Sequence, residues 1–367
     1  MTTAAPAIRL SVLDRSRTRQ GHEPAQALRD TVAFAQEAER LGYHRFWVSE
    51  HHGVPGVAGS APTVLAAAVA AATGRIRVGT GGVMLPNHQP LVVAEQFGVL
   101  AALFPGRIDM GLGRSVAFTD GVRRALGRDK DAADRFAEQL AELLGYFDGS
   151  SRTRRDVHAR PAEGLDVPAF VLATGAGADL AAEAGLPLVI GAIRGEDRML
   201  AAIDRYRARF RPSAQAARPY VVVSGTVAVA GTTEEAERLL VAEAWSSAYA
   251  RTHGEFPPLA PAEEVLNRPM TARERAAYQQ SLRGHIAGTP EQAAAALAAL
   301  TARTGADEFL VTTSSYDRVA LLDSYRLLAE AVRPVGPVPV PVPEPGPSDP
   351  SPSPSLSPSP GPVGTGR

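Results

Sequence analysis

The chain has 367 residues, 45% hydrophobic and 21% charged, with 38 Lys+Arg against 39 Asp+Glu and no cysteine. That near-neutral balance gives no bulk electrostatic case for nucleic acid or an anionic membrane surface. The missing cysteine excludes disulfides, thiolate zinc sites, Fe–S clusters and a cysteine nucleophile. The longest apolar run, residues 64–72, falls far short of the ~20 residues that span a bilayer. The N-terminus shows no basic segment leading into an apolar stretch, so the expected location is the cytoplasm.

Strand patterns fall at 8–13, 45–49, 76–80, 108–112, 169–173, 187–191, 220–230 and 308–313. Between the first two lies a helix with Pro24 near its start, a stripe of Leu28, Val32, Ala35 and Leu41, and Gly42 just past its end. Helical patterns follow at 62–73, 90–103, 131–147, 178–184, 196–210, 233–250, 290–303 and 317–332. Residues 251–283 fit no βα unit and read as an insertion between the seventh and eighth strands, near the mouth of a barrel. Alternating strands and helices argue for a parallel sheet, and eight strands for a closed (β/α)8 barrel. An open doubly wound sheet is the alternative; against it, Leu13-Asp14-Arg15-Ser16 stands where a G-x-G-x-x-G turn would follow the first strand. From 334 to 367, 13 of 34 residues are proline, which predicts a disordered or polyproline-II tail after a globular unit ending at 333.

A barrel places chemistry at the C-terminal ends of its strands. The second strand runs into Ser49-Glu50-His51-His52; alternation puts Trp47, Ser49 and His51 on one face and Val48, Glu50 and His52 on the other. A histidine there can exchange protons near neutral pH; a hydrogen-bonded rim residue is the structural alternative. Glu50, His51 and His52 invite a metal reading, but neighbouring strand residues point apart and no second cluster at ligand spacing is visible, so none is expected. Gly81-Gly82 ends the third strand and either lets a flat ligand approach the backbone or marks a bend. Arg114 follows the fourth strand and suits a phosphate or a surface ion pair. The turn Thr174-Gly175-Ala176 after the fifth strand can offer backbone N–H groups to a phosphate.

Taken together, Gly42 to His52, Arg77 to Pro90, Pro105 to Arg114, Ala181 to Pro187 and Gly305 to Thr313 resemble the bacterial-luciferase-like flavin monooxygenase family. The resemblance implies a (β/α)8 barrel using reduced FMN or, in a sister branch, the deazaflavin F420. It implies a non-proline cis peptide under the isoalloxazine, falling on Gly81-Gly82, and a catalytic histidine, falling on His51. It further implies phosphate contacts from Arg114 and from Thr174, Gly175 and Ala176. In that family reduced FMN and O2 form a C4a-hydroperoxide that oxygenates a small-molecule substrate. Without an NAD(P)H fingerprint, a separate flavin reductase is the expected source of FMNH2. A non-catalytic flavin-binding homologue is the further alternative. The helices after strands two and three form a dimer interface in the family, so a homodimer is expected here.

Overall fold

The computed structural model describes residues 8–116, 119–150, 156–193 and 195–332. In chain order its strands are β1 (Arg9–Asp14), β2 (Arg45–Val48), β3 (Arg77–Thr80), β4 (Val83–Met84), β5 (Ile108–Gly113) and β6 (Ala169–Ala173). They continue with β7 (Leu188–Gly191), β8 (Val221–Gly225), β9 (Val227–Val229), β10 (Ile286–Gly288) and β11 (Glu308–Val311). Eight of them, β1, β2, β3, β5, β6, β7, β8 and β11, are joined side by side in parallel, and the β3–β5 and β1–β11 pairings close the ring. The fold is the expected (β/α)8 barrel. No helix among the described residues is long and apolar enough to cross a membrane. The proline-rich segment 334–367 lies outside the described residues.

Helices alternate with these strands: α1 (Pro24–Arg40), α2 (Pro62–Ala72), α3 (Pro90–Leu103), α4 (Asp120–Ala125), α5 (Phe136–Gly145) and α6 (Gly177–Glu183). The second half adds α7 (Glu196–Arg209), α8 (Thr233–His253), α9 (Ala262–Leu266), α10 (Ala272–Ser281), α11 (Pro290–Thr304) and α12 (Arg318–Val332). Proline opens α1, α2 and α3, where its missing N–H costs no helical bond. The α1 stop falls as its sequence predicts: Gly42 sits at φ +83, where a Cβ would be disfavoured. Thr232 and Glu235 form a reciprocal cap on α8, and Thr289 and Gln292 on α11.

Three boundaries differ from the sequence reading. The run 220–230 is not one strand: β8 ends at Gly225, and β9 leaves the barrel to pair in parallel with β10. Thr313 causes the departure, its hydroxyl accepting from the Val227 N–H and donating to the Val227 carbonyl. The 131–147 pattern becomes a tighter turn over Lys130–Arg135 before α5 begins. Within the insertion 251–283, α9 and α10 pack along α8, while Leu259 bonds backbone-to-backbone with Thr18 and Gln20. That contact draws the insertion over the loop that follows β1.

Strand alternation divides the core. Phe46 and Val48 face outward into the helix layer, whereas Trp47 joins Phe170, Val189, Tyr220, Val222 and Leu310 inside the barrel. Below them lies a buried ion cluster. Arg45, fully enclosed, donates to Asp109 (Nη1–Oδ2, 2.8 Å) and to Glu308 (Nε–Oε1, 2.9 Å). Arg77 and the Trp47 indole also donate to Asp109, and Ser11 and Tyr220 to Glu308. Burial, the largest single influence, would raise both carboxyls, but Arg45 together with Arg77 at Asp109, and with His44, Ser11 and Tyr220 at Glu308, holds each below the usual range.

Asp109→Asn leaves Arg45 buried with one carboxylate and should cost about 3–5 kcal/mol, as removing one partner of a buried pair does. Arg303→Ala, which breaks a half-exposed pair with Glu196, should cost under ~1 kcal/mol. Equilibrium urea unfolding of the two variants checks the contrast; equal losses would show that the barrel does not depend on its ion cluster.

Candidate active site at the barrel mouth

The inward series Arg45, Trp47 and Ser49 continues to His51 at the end of β2. Its ring Nδ1 lies 3.2 Å from Ser49 Oγ, and its backbone N–H donates to the Gly59 carbonyl at 2.9 Å. Burial, together with nearby Arg15 and Arg17, pulls the imidazole down to about 4, against weaker opposition from Glu243 and Glu50. At pH 7 His51 is therefore neutral, able to accept a proton but not to lend one as imidazolium.

Glu50 and Asp14, the carboxylates nearest in sequence to the ends of β2 and β1, do not bond to His51. Both lie on the opposite faces of their strands. Thr31 donates to Asp14 from α1. Glu50 accepts four hydrogen bonds: from His52 (2.8 Å) and Asn87 (3.0 Å) on Oε1, and from His88 (2.9 Å) and the Met84 N–H (2.9 Å) on Oε2. Burial would raise Glu50, but the bonds from His52 and His88 prevail and bring it to about 2. The sequence displayed no third donor beside Glu50 and His52; the fold supplies His88, so that three ligand-type atoms lie within 4.8 Å of one another. With every carboxylate lone-pair direction taken by an N–H, the arrangement is a brace joining the β2 end to the segment before α3.

Adjacent to His51, the Gly81–Gly82 peptide is cis. The Gly81 N–H donates to the Val48 carbonyl, which ties the ends of β2 and β3. A Cβ on Gly81 would lie 2.6 Å from Leu13 Cδ1, and one on Gly82 would lie 2.8 Å from the Gly111 carbonyl oxygen. At Gly82 the obstacle is backbone, and at Gly81 it is the tip of the Leu13 side chain, which would have to move.

Arg114 ends β5 and Thr174 follows β6; these strands are neighbours in register through Gly113 and Leu172. Arg114 is half-exposed, and its contact with the exposed Asp134 is long, at 3.5 Å. Thr174 and Ala176 are exposed, Gly175 sits at φ +128, and no side chain caps the start of α6. The sequence reading missed the charged group on the opposite rim: Arg15 and Arg17 after β1, facing Glu243 of α8. Arg15-Ser16-Arg17-Thr18-Arg19 was a legible signal, since Arg15 continues the inward parity of Ser11 and Leu13. A separate groove of about 470 Å³ between α8, α9 and the start of α12 is lined by none of these residues.

His44, outside the mouth, is also pulled down to about 4, by burial and by Arg45. Both histidines lie below the unfolded value of about 6.5, so on acidification the unfolded chain takes up these protons first. Their stabilising contribution is complete above pH 6.5 and is lost as pH falls toward 4. Glu50 contributes above its unfolded value of 4.5, and that contribution is lost only as pH falls toward 2. Urea midpoints should therefore drop between pH 7 and pH 4.5 through the histidines alone. The His51 ring resonances should titrate near 4; titration near 6.5 would mean that water reaches the ring freely.

The model of the luciferase-like monooxygenase family matches residues 8–308. A luciferase-like monooxygenase of Escherichia coli (strain K12) is 35% identical over 324 residues, covering 87% of this chain and 96% of the relative. The N-acetyl-S-alkylcysteine monooxygenase of Bacillus subtilis (strain 168) is 36% identical over 332 residues, covering 89% and 98%. The crystal structure of apo-MsnO8 superposes with a TM-score of 0.79 at 32% identity, covering 91% of this chain and all of that one. By sequence along nearly the whole barrel, and by the fold that carries it, this chain belongs to the luciferase-like monooxygenase family.

Proposed function

We propose that the protein is a flavin-dependent monooxygenase that takes reduced FMN and O2 and oxygenates a small organic substrate. The observation that carries this reading is the meeting, at one end of the barrel, of a side-chain-free Gly81–Gly82 backbone with the neutral imidazole of His51. A peptide with no Cβ on either residue lets a flat ring system approach the backbone closely. Arg114 and the uncapped turn Thr174-Gly175-Ala176 suit the cofactor's phosphate: a weakly engaged guanidinium and free backbone N–H groups on adjacent strands. Bound there, reduced FMN would activate O2 for transfer of one oxygen atom to the substrate.

The chain's own residues have narrower tasks. His51, neutral and half-buried beside Ser49, accepts or relays a proton. Trp47, Leu13 and Leu172 exclude water from below the site. The brace on Glu50 fixes the segment from which His51 projects. Reduced flavin comes from a separate reductase, since no dinucleotide fingerprint follows β1.

Titration of the purified chain with FMN, riboflavin and F420, followed by mixing with O2 after reduction, tests this reading. FMN should bind more tightly than F420. Arg114→Ala should weaken FMN by about 1.5–3 kcal/mol and riboflavin much less. His51→Ala should leave FMN binding within a few-fold, lower oxygenation by roughly 10²–10⁴, and release peroxide in its place. NADPH alone should leave the flavin oxidised. Preferential binding of F420, or equal losses of FMN and riboflavin in the Arg114 variant, would sink the assignment.

The same reading includes a homodimer. Val64 of α2 and Val92, Val99 and Leu103 of α3 are exposed large apolar side chains on neighbouring helices, an apolar face of the kind that associates. Light scattering at micromolar concentration should give twice the chain mass, and Val64→Asp with Leu103→Asp should halve it.

A further inference from the structure

Arg15 is the last of the inward-facing residues Arg9, Ser11, Leu13 and Arg15. Since β1 is hydrogen-bonded to β2 on one side and β11 on the other, its side chain emerges between His51 and Ser314. Its Nη2 donates to the Thr312 carbonyl at 3.0 Å, and Nη1 lies 3.0 Å from Glu243 Oε1. Arg17, its side chain only 3% exposed, reaches Glu243 Oε2 through Nε at 3.6 Å while Nη2 is held by Ser246 and the Pro257 carbonyl.

These three groups are poorly satisfied for their depth. Arg15 Nε, Arg17 Nε and both Glu243 oxygens are buried without an aligned hydrogen bond. Burial pulls the Arg17 guanidinium down to about 10 despite Glu243. The nearby charges do not correct the balance. Arg19 shares Asp30 with Arg318, and Asp14 acts on Arg17 only through space while it accepts from Thr31 of α1. His285, the remaining titratable neighbour of Arg15 and Glu243, is shifted toward its neutral form by burial. Two guanidiniums thus share one carboxylate beside a neutral His51. Charges at this depth persist when paired and hydrogen-bonded, and two guanidiniums that divide one poorly aligned carboxylate favour an anionic ligand as a further partner.

Arg17 is sealed by the insertion, whereas the Arg15 side chain remains 24% exposed. A single planar fork matches a carboxylate better than a dianionic phosphate. We propose that Arg15 selects substrates bearing a carboxylate, with Glu243 as the counter-charge that the substrate displaces. The assignment rests on the mouth being where substrate enters, and it names the substrate class of that site.

Calorimetry on the full chain at pH 7 tests it with octanoate and benzoate, each against its primary amide, with octyl phosphate and octylamine alongside. Each acid should bind at least tenfold more tightly than its amide. Arg15→Met should abolish that preference, and Arg15→Lys, which keeps the charge without the fork, should retain part of it. Glu243→Gln should raise acid affinity severalfold, an effect opposite to that of removing a merely structural ion pair. Equal binding of acid and amide, or no binding of either acid, overturns the proposal. So does preference for octylamine or octyl phosphate. The wild-type acid-to-amide ratio decides the matter even if a variant does not fold. An acid preference in a chain that fails to bind FMN would keep Arg15 in this role and remove the flavin reading instead.

Discussion

Arg45 is the group around which the barrel is organised. It carries a full charge in the centre of the protein and stays there because Asp109 of β5 and Glu308 of β11 meet it from opposite walls. The pairing joins three strands that are far apart in sequence. It also fixes their rotation, because a strand turned by one residue would point its carboxylate into the helix layer. Such clusters add little net stability over a hydrophobic filling, yet losing one member is costly. The consequence is register: Arg45, Asp109 and Glu308 can be satisfied together only when each strand presents the correct face inward.

Once register is set at that level, the mouth follows by alternation. The face that holds Arg45 presents Trp47, Ser49 and then His51. The face that holds Ser11 presents Leu13 and then Arg15, and the one that holds Glu308 presents Leu310, Thr312 and then Ser314. An ionic layer, an apolar layer and a polar rim are stacked on the same strands. The apolar layer isolates the rim from the buried charges beneath it and leaves His51 in a site dry enough to hold its imidazole neutral.

The other faces of the same strands do different work. Glu50 and His52 point away from the barrel axis and bind the segment through Met84, Asn87 and His88, which bears on the Gly81–Gly82 backbone from behind. The insertion carrying α9 and α10 closes the opposite rim through Arg17, Leu259 and Pro257. Beside His51 the mouth thereby presents the Gly81–Gly82 backbone, and the rim after β1 presents two guanidiniums and a carboxylate.

Much of this was legible in the chain itself. The alternation of apolar strands with proline-opened helices determined the barrel, and period-two alternation after Arg45 separated His51 from Glu50 and His52. Gly81, Gly82, Arg114 and the Thr174-Gly175-Ala176 turn stood out because each lies at the end of a strand, where a barrel places its chemistry. Local patterns could not reveal contacts between residues distant in sequence. His88 lies 36 residues beyond His52 and became its neighbour only through the closure of β2 against β3 and β4. Glu243 met Arg15 and Arg17 only because α8 folds back over the first strand. The split of the 220–230 run into β8 and β9 depended on Thr313, which follows the neighbouring strand β11 and lies 86 residues further along the chain. Strand and helix periodicity are properties of neighbouring residues, whereas the charge balance of the mouth is a property of the closed ring. That is why most strands and helices of the barrel were determined by sequence alone and the partners of Glu50 and Arg15 were decided by tertiary structure.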